Sequence, residues 1–351
     1  MIDLATQRYA LLALAAAALF GASTPLAKLL QADITPGLLA GLLYLGSGIG
    51  LALVQLARRF GRAPADAPLR AEDIAWLAGA VLCGGIAAPV LLLWGLAGAS
   101  ASGVSLLLNL EGLLTALIAA LVFKEAVGKR IWLAACLMLA AALLLSYDAQ
   151  TGIGLSLHAL AVAAACALWA LDNNLTRRIA AADAVNIAMI KGLAAGCVNT
   201  AAAMALGAHF PNALPLAGAL MLGWLAYGIS LTLYIVALRH LGSARAAAHF
   251  STAPFIGAAL AIALLGEPVS AGFVAAFLLM VAATWLALSE QHGHAHVHEP
   301  LAHQHQHTHD AHHQHEHRGD EGPEPHAHAH RHASLEHSHP HLPDLHHRHP
   351  H

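Results

Sequence analysis

Charge is what this sequence has least of: Asp, Glu, Lys and Arg make up 11% of its 351 residues, against roughly a quarter in a soluble globular domain. With 58% of its residues hydrophobic and a mean hydropathy of +0.61, such a chain has too little polar surface to cover itself in water. Cysteine is scarce too. Cys83, Cys136, Cys166 and Cys197 all lie in apolar runs and none forms a C-x-x-C pair. That excludes a disulfide framework and a zinc knuckle, and leaves small core- or lipid-facing residues. No Gly-x-x-x-x-Gly-Lys-[Ser/Thr] segment occurs, so ATP-driven pumping is excluded. No catalytic triad or membrane-protease signature is visible, and an enzyme is not expected. Nor is there the basic patch that nucleic acid would want.

What is present falls into two materials. Up to Ser289 the chain is almost continuously apolar, with 14 basic and 11 acidic residues. From Glu290 to His351 it is polar and low in complexity, holding 23 of the 27 histidines, nine acids and only Arg318, Arg331 and Arg348. The body contains ten apolar runs long enough to cross a bilayer, roughly 17 to 25 residues each. They lie near 8–30, 34–57, 74–97, 100–123, 131–147, 156–179, 184–206, 215–239, 243–265 and 270–288. The first follows Arg8 like a signal peptide, but it has an equivalent later in the chain and no convincing cleavage site follows it.

Lys and Arg in short loops set the orientation. With a cytoplasmic N-terminus the inner loops carry Arg58, Arg59, Arg62 and Arg70, then Lys124, Lys129 and Arg130, then Arg177 and Arg178, then Arg239. The outer side has only Lys28. Both termini are therefore expected in the cytoplasm, with the chain spanning the cell (inner) membrane many times.

An internal repeat runs through the body. Ala18 to Lys28 (A-L-F-G-A-S-T-P-L-A-K) lines up with Ala167 to Arg177 (A-L-W-A-L-D-N-N-L-T-R), and Gly84 to Ile86 with Tyr227 to Ile229. The fourth and fifth runs, joined through Lys124-Glu125, match the ninth and tenth, joined through Gly266-Glu267. Five crossings per repeat is an odd number, so the halves sit inverted. The charges agree: the first turn is basic, while Gly266 to Ser270 has no Lys or Arg. Inverted repeats are common in secondary transporters, whose substrate site lies near the midplane where the repeats meet.

At these residues the chain resembles the drug/metabolite transporter superfamily, specifically the EamA-type family with two five-helix repeats. The segments that carry the likeness are F-G-A-S-T-P-L-A-K in the first run, Leu110 to Glu125 (L-E-G-L-L-T-A-L-I-A-A-L-V-F-K-E) and Ala253 to Pro268 (A-P-F-I-G-A-A-L-A-I-A-L-L-G-E-P). The resemblance spans residues 8 to 288 and excludes the tail. It implies an all-α polytopic membrane protein of ten transmembrane helices in two inverted repeats, and it says little about substrate. The expected division is a first repeat over 1–148, a second over 149–289 and a disordered histidine-rich tail over 290–351. Where family members commonly have proline after the Leu-Glu of the fourth helix, this chain has Gly112, so a softer helix break is expected there. The second repeat keeps Pro254.

Ionisable groups inside a membrane are functional candidates by default, because burying their charge in lipid is costly. Glu111 lies twelve residues from Phe123, about 18 Å along a helix, close to the bilayer centre, with Asn109 beside it in sequence. A carboxylate there can titrate a proton, meet a cation or hold a cationic substrate group. The plainer reading is a protonated Glu bonded to a neighbouring helix. Asp172 and Lys191 each fall seven residues inside consecutive helices, at about 10 Å depth. A salt bridge is the simplest way to bury both, with Asn173 and Asn174 satisfying what remains. That pair is either a structural bolt or a gate. Arg245 and His249 occupy adjacent turns of the ninth run; Arg245 snorkels or acts, and His249 joins a proton relay or packs. Pro25 and Pro254, near Ser23, Thr24, Ser251 and Thr252, either break helices and free carbonyls for a ligand or merely kink them.

The tail reads as alternating imidazoles: His292, His294, His296 and His298; His303, His305, His307 and His309; His326, His328, His330 and His332; His337, His339 and His341. It lacks the apolar residues for a core. Such a chain chelates Zn, Ni, Co or Cu, while no cofactor is required by the body. The expectation is a secondary transporter, an exporter, of a small metabolite or a divalent metal ion, with a cytoplasmic metal-chelating tail. The alternative is a membrane-held metal buffer or sensor without transport. The partners expected are the bilayer and the small-molecule or metal-ion substrate, with a homodimer left open and no nucleic acid.

Overall fold

A backbone inside hydrocarbon must satisfy its own hydrogen bonds, and helices do so within each apolar run. In the computed structural model the described residues are 4–60, 69–123, 129–146, 156–179, 182–241 and 243–289, with the tail backbone of 292–298, 302–307, 326–331 and 335–341. The first crossing is α1 (Leu4–Gly21) and α2 (Ser23–Leu30), and the second is α3 (Pro36–Phe60). The third is α4 (Ile74–Ala80), a π-helical segment (Val81–Ala87) and α5 (Ala88–Ala97). The fourth is α6 (Ala101–Leu107) and α7 (Asn109–Phe123), and the fifth is α8 (Lys129–Ser146). The second half runs α9 (Leu157–Arg178), α10 (Ala184–Ala205), then α11 (Ala213–Gly223), a second π-helical segment (Trp224–Ile229) and α12 (Ser230–Leu241). It ends with α13 (Ser243–Phe250), α14 (Ala253–Leu265) and α15 (Ala271–Leu288).

Among the described residues nine crossings are long and apolar enough to span a membrane. The tenth, α8, is an 18-residue helix opening on Lys129 and Arg130 and packed along α15. The second, fourth and fifth crossings each pack on their counterparts in the second half: α3 on α10, α6 on α14, α8 on α15. The first crossing meets the eighth through α1 and α12, and the sixth meets the third through α9 and α5. This reciprocal pattern is what two inverted repeats about an in-plane axis produce.

Small residues let the helices approach. Gly192 and Gly196, four apart on α10, lie against Gly48 and Leu45 of α3, and a Cβ at either would strike that backbone. Close packing of this kind substitutes for the hydrophobic effect, which does not act between helices in lipid. Leu38, Leu39, Leu93, Leu96, Val162 and Met280 fill the interior. The large apolar residues left exposed, Leu53, Leu121, Leu139 and Leu278 among them, face the lipid, and Trp76, Trp94, Trp132 and Trp285 are exposed near helix ends, where an aromatic belt belongs.

Helix ends follow ordinary capping. Ser100 and Ser270 accept from Gly103 N and Phe273 N at 3.2 and 3.1 Å, and Gly266 closes α14 in the left-handed conformation at φ 63°. Arg130 Nη1 donates to the Ser289 carbonyl at 2.8 Å, which puts the start of α8 and the end of α15 on one face. The described tail backbone forms two antiparallel ladders, 292–298 with 335–341 and 302–307 with 326–331. Composition leads to an expectation of disorder there, and the paired strands differ from it. All of the tail's side chains, and all residues between the ladders, lie outside the described residues.

Candidate functional site

Three helix breaks converge at the middle of the body. The first crossing breaks at Ala22, three residues before Pro25, and the ninth at Ser251 and Thr252, just before Pro254. There the hydroxyls of Ser251 and Thr252 donate to the carbonyls of Ala248 and His249 at 2.8 and 2.7 Å, which satisfies acceptors the break would leave open. The fourth crossing, with Gly112 in place of proline, breaks more gently. Only Leu108 leaves the helix, and its N–H still reaches the Val104 carbonyl at 3.2 Å. Gly21 and Gly257 touch backbone to backbone, with Ser105 against Gly257, so the breaks of crossings one, four and nine share one crossing point.

Glu111 sits in the first turn of α7, where the partial positive charge of a helix N-terminus favours a carboxylate. Asn173 Nδ2 on α9 donates to its Oε1 at 2.9 Å and to Thr115 Oγ1 at 3.3 Å, and Thr115 Oγ1 donates to the Glu111 carbonyl at 2.8 Å. One residue on from Asn173 in reverse, Asp172 forms a salt bridge with Lys191 of α10 at 2.5 Å and accepts from Thr176 Oγ1 at 2.9 Å. Asp172 is buried against Gly84 of the first π-helical segment, where a Cβ would strike its carboxylate.

That π segment shapes the opposite wall. Widening a helix by one residue per turn releases carbonyls from the usual ladder, and side chains take them up. Tyr44 Oη and Trp169 Nε1 both donate to Gly84 O, at 2.7 and 2.9 Å, and Asn199 Nδ2 lies 3.2 and 3.3 Å from the Gly85 and Ile86 carbonyls. The second π segment supplies Tyr227, whose ring packs against those of Phe20 and Tyr44 at 5.7 and 5.9 Å between centroids. Glu111, Tyr44 and Tyr227 are each half-buried. Gly112, next to Glu111, faces open space.

On the face away from the termini a short loop is gripped from two sides. Lys28 Nζ donates to the carbonyls of Leu96, Ala97 and Ala99 at 2.5, 3.1 and 3.0 Å, at the C-terminal end of α5. The Glu267 carboxylate accepts from Ala101 N and Ser102 N at 2.6 and 2.8 Å, at the start of α6. One short loop, Gly98 to Ser100, is thus held from the first crossing on one side and from the ninth-to-tenth turn on the other.

The structure brings Asp172 to Lys191 and Asn173 to Glu111, but two expected groupings change. Asn109 turns away from Glu111: its amide donates to Leu106 O at 2.9 Å and its oxygen accepts from Thr284 Oγ1 at 3.4 Å. Residues two apart on a helix are about 200° apart around its axis, so closeness in sequence is separation in space. Neither Asn173, which is committed to Glu111 and Thr115, nor Asn174 serves the Asp172 pair; Asn174 points elsewhere for the same reason. It donates to the carbonyls of Thr115 and Ala170, and Thr176, one turn on, takes its place. His249 lies in the last turn of α13, at the break. Lys124, Glu125 and the Arg245 side chain lie outside the described residues, as do the side chains of the histidine tail. Among the described residues no three His, Cys, Asp or Glu come together. The aromatic wall and the Lys28–Glu267 clasp were not singled out from sequence, though the match of Gly84–Ile86 with Tyr227–Ile229 marks both π segments.

With this geometry in place, three comparisons bear on it. An uncharacterized transporter of Methanothermobacter thermautotrophicus is 27% identical over 265 residues, covering 72% of this chain and 77% of its own. A protein of known crystal structure superposes with a TM-score of 0.59 at 20% identity, over 80% of this chain and 95% of its own. At that identity the likeness speaks for the fold alone. The sequence profile of the EamA-like transporter family matches residues 7–147 and again 156–289. The chain belongs to the EamA-like transporter family, a family of polytopic membrane transporters.

Proposed function

We propose that the protein is a secondary exporter of a small organic solute, driven by proton or cation coupling or by exchange, with Glu111 meeting the solute or the coupling ion. One observation carries this reading: a carboxylate in the first turn of a half-helix, well inside an apolar crossing of the first repeat, is met by Asn173 from the second. A carboxylate is costly at that depth, and structural anchoring has no need of one. A divalent metal is the other cargo the sequence allows. The groups about Glu111 are an amide, a threonine hydroxyl and tyrosine rings, which suit an organic solute better than a hard cation seeking six or more oxygens.

The tail is proposed as a cytoplasmic metal-binding accessory in the inner membrane protein, separate from the path of the solute. Many loose, equivalent imidazoles suit buffering or sensing, whereas a transport site needs a few ligands held rigidly. Growth of a deletion strain across a panel of metals, amino acids and drugs tests the reading. Sensitivity to at least one organic solute is expected, rescued by the wild-type chain and not by Glu111→Gln. Sensitivity confined to metals, rescued equally by both, would instead support the buffer or sensor.

A further inference from the structure

Successive residues of a β-strand alternate between its two faces, so histidine at every second position sets all of a strand's histidines on one face. The tail has four such strands: β1 (His292–His298), β2 (Ala302–His307), β3 (His326–Arg331) and β4 (Leu335–His341). In the outer ladder β1 runs antiparallel to β4, with His292, His294 and His296 opposite His341, His339 and His337. In the inner ladder β2 runs antiparallel to β3, with His303, His305 and His307 opposite His330, His328 and His326. Within the four strands only His298 is paired with another residue type, Leu335. As many residues separate His292 from His303 as separate His330 from His341, so the two ladders keep the same register.

That register matters. Slipping either ladder by one residue would give every histidine a partner without an imidazole. No apolar face drives the pairing either: the inner ladder's other face, with Gln304, Gln306 and Arg331, is too polar to bury, and an isolated two-stranded ribbon is marginal in water. A ligand shared by both strands supplies what is missing. Directly opposite residues have Cβ atoms about 4.5–5.5 Å apart, and two imidazoles at that spacing can reach one ion about 2.0–2.1 Å from each ring nitrogen. Two pairs in succession, about 7 Å apart along the strands, supply the four nitrogens of a tetrahedral site. Donors that are all nitrogen select a borderline divalent ion such as Zn²⁺ over Mg²⁺ or Ca²⁺, which seek oxygen.

We propose that Zn²⁺, or a divalent ion of the same class, binds across the strands at the in-register histidine pairs and so closes the tail into a β-ribbon. The proposal rests on the tail as a metal-binding segment and adds the site and its consequence. Chelation by neighbours along one strand would hold metal without joining strands. Binding across them favours one conformation as free metal rises, which makes the chelator a sensor.

Two full-length variants, each lacking six histidines, separate the modes. One has alanine at His303, His305, His307, His326, His328 and His330, which removes the inner pairs whole and keeps the outer ones. The other has alanine at His292, His294, His296, His303, His305 and His307, which breaks every pair. Zn²⁺ alone is titrated into the purified proteins at pH 7.5. The tightest site should stay within about threefold of wild type in the first and weaken about tenfold or more in the second. Equal affinity in the two overturns the proposal, because a chelator indifferent to register only counts histidines. Nitroxide labels give the second readout, in a chain whose four native cysteines are alanine. Labels on Ala302→Cys with Arg331→Cys, which are opposite, should show stronger spin–spin broadening when Zn²⁺ is added than labels on Ala302→Cys with Ala327→Cys. No Zn²⁺-dependent difference between the two label pairs overturns the proposal as well. If Zn²⁺ binds but either contrast is missing, only the cross-strand site falls. If the wild-type tail binds no Zn²⁺, its reading as a metal-binding segment falls too.

Discussion

Asp172 and Lys191 show what a charge in an apolar run reveals and what it conceals. Their equal depth on consecutive helices makes the pair readable from sequence, and the 2.5 Å contact bears the pairing out. Glu111 is readable for the same reason. Its partner is less so, because an asparagine beside it in sequence is the nearest guess and the real donor, Asn173, comes from another crossing. Tyr44, Tyr227 and Trp169 are invisible to such reasoning: aromatic residues are ordinary in membrane helices, and only the fold shows Tyr44 and Trp169 converging on one carbonyl with Tyr227 packed against Tyr44. Removing one member of a buried pair strands the other at about 3–5 kcal/mol. Asp172→Asn and Lys191→Met should therefore each lower folded yield or melting temperature, and the charge-swapped double variant should recover part of the loss. Simple addition of the two single effects in a double-mutant cycle would show that the pair is not coupled.

Elements carry the next layer. The ten apolar runs forecast ten helices well because length and hydropathy are enough to specify a crossing. They say nothing of the π segments at Val81–Ala87 and Trp224–Ile229, since a widened turn is stabilised by partners elsewhere, here Tyr44, Trp169 and Asn199 on the Gly84–Ile86 carbonyls. Pro25 and Pro254 were readable as breaks or as kinks, and each lies just past a break, at Ala22 and at Ser251 and Thr252, while Gly112 follows a gentler one at Leu108. Lys28 was legible as a lone charge opposite the termini, but its three carbonyls and the matching grip of Glu267 on α6 depend on a loop 70 or more residues away from one of them. Glu267→Ala removes two acceptor contacts to backbone N–H groups, a loss of about 1–3 kcal/mol. With Cys83, Cys136, Cys166 and Cys197 replaced by alanine, a Ser105→Cys probe should then react faster with an impermeant maleimide added to the face opposite the termini. An unchanged rate would mean that the clasp does not hold that face closed.

At the scale of the whole molecule, the inverted repeat was legible because an odd number of crossings per repeat leaves no other arrangement, and the reciprocal packing of α3 on α10 and α8 on α15 accords with it. Reporter fusions after Ala71 and at the C-terminus should report cytoplasm, and fusions after Gln150 or Pro211 the opposite side. A C-terminus on the outer side would contradict ten crossings. The tail's imidazoles bind metal when neutral and not when protonated, so its affinity should hold above about pH 6.5 and collapse as pH falls through that value. Titration of Zn²⁺ or Ni²⁺ into the full-length protein at pH 7.5 and 5.5 checks this, and equal affinity at both would argue against imidazole ligands. The claim on which the rest depends is that Glu111, not the tail, lies on the transport path. Efflux into everted membrane vesicles of the solute that the growth panel identifies tests it, with wild-type protein compared with Glu111→Gln and with a chain truncated after Glu290. The account predicts flux lost in Glu111→Gln with Zn²⁺ binding intact, and flux retained after truncation with most Zn²⁺ binding gone. Flux that survived Glu111→Gln but vanished in a folded, truncated chain would contradict it.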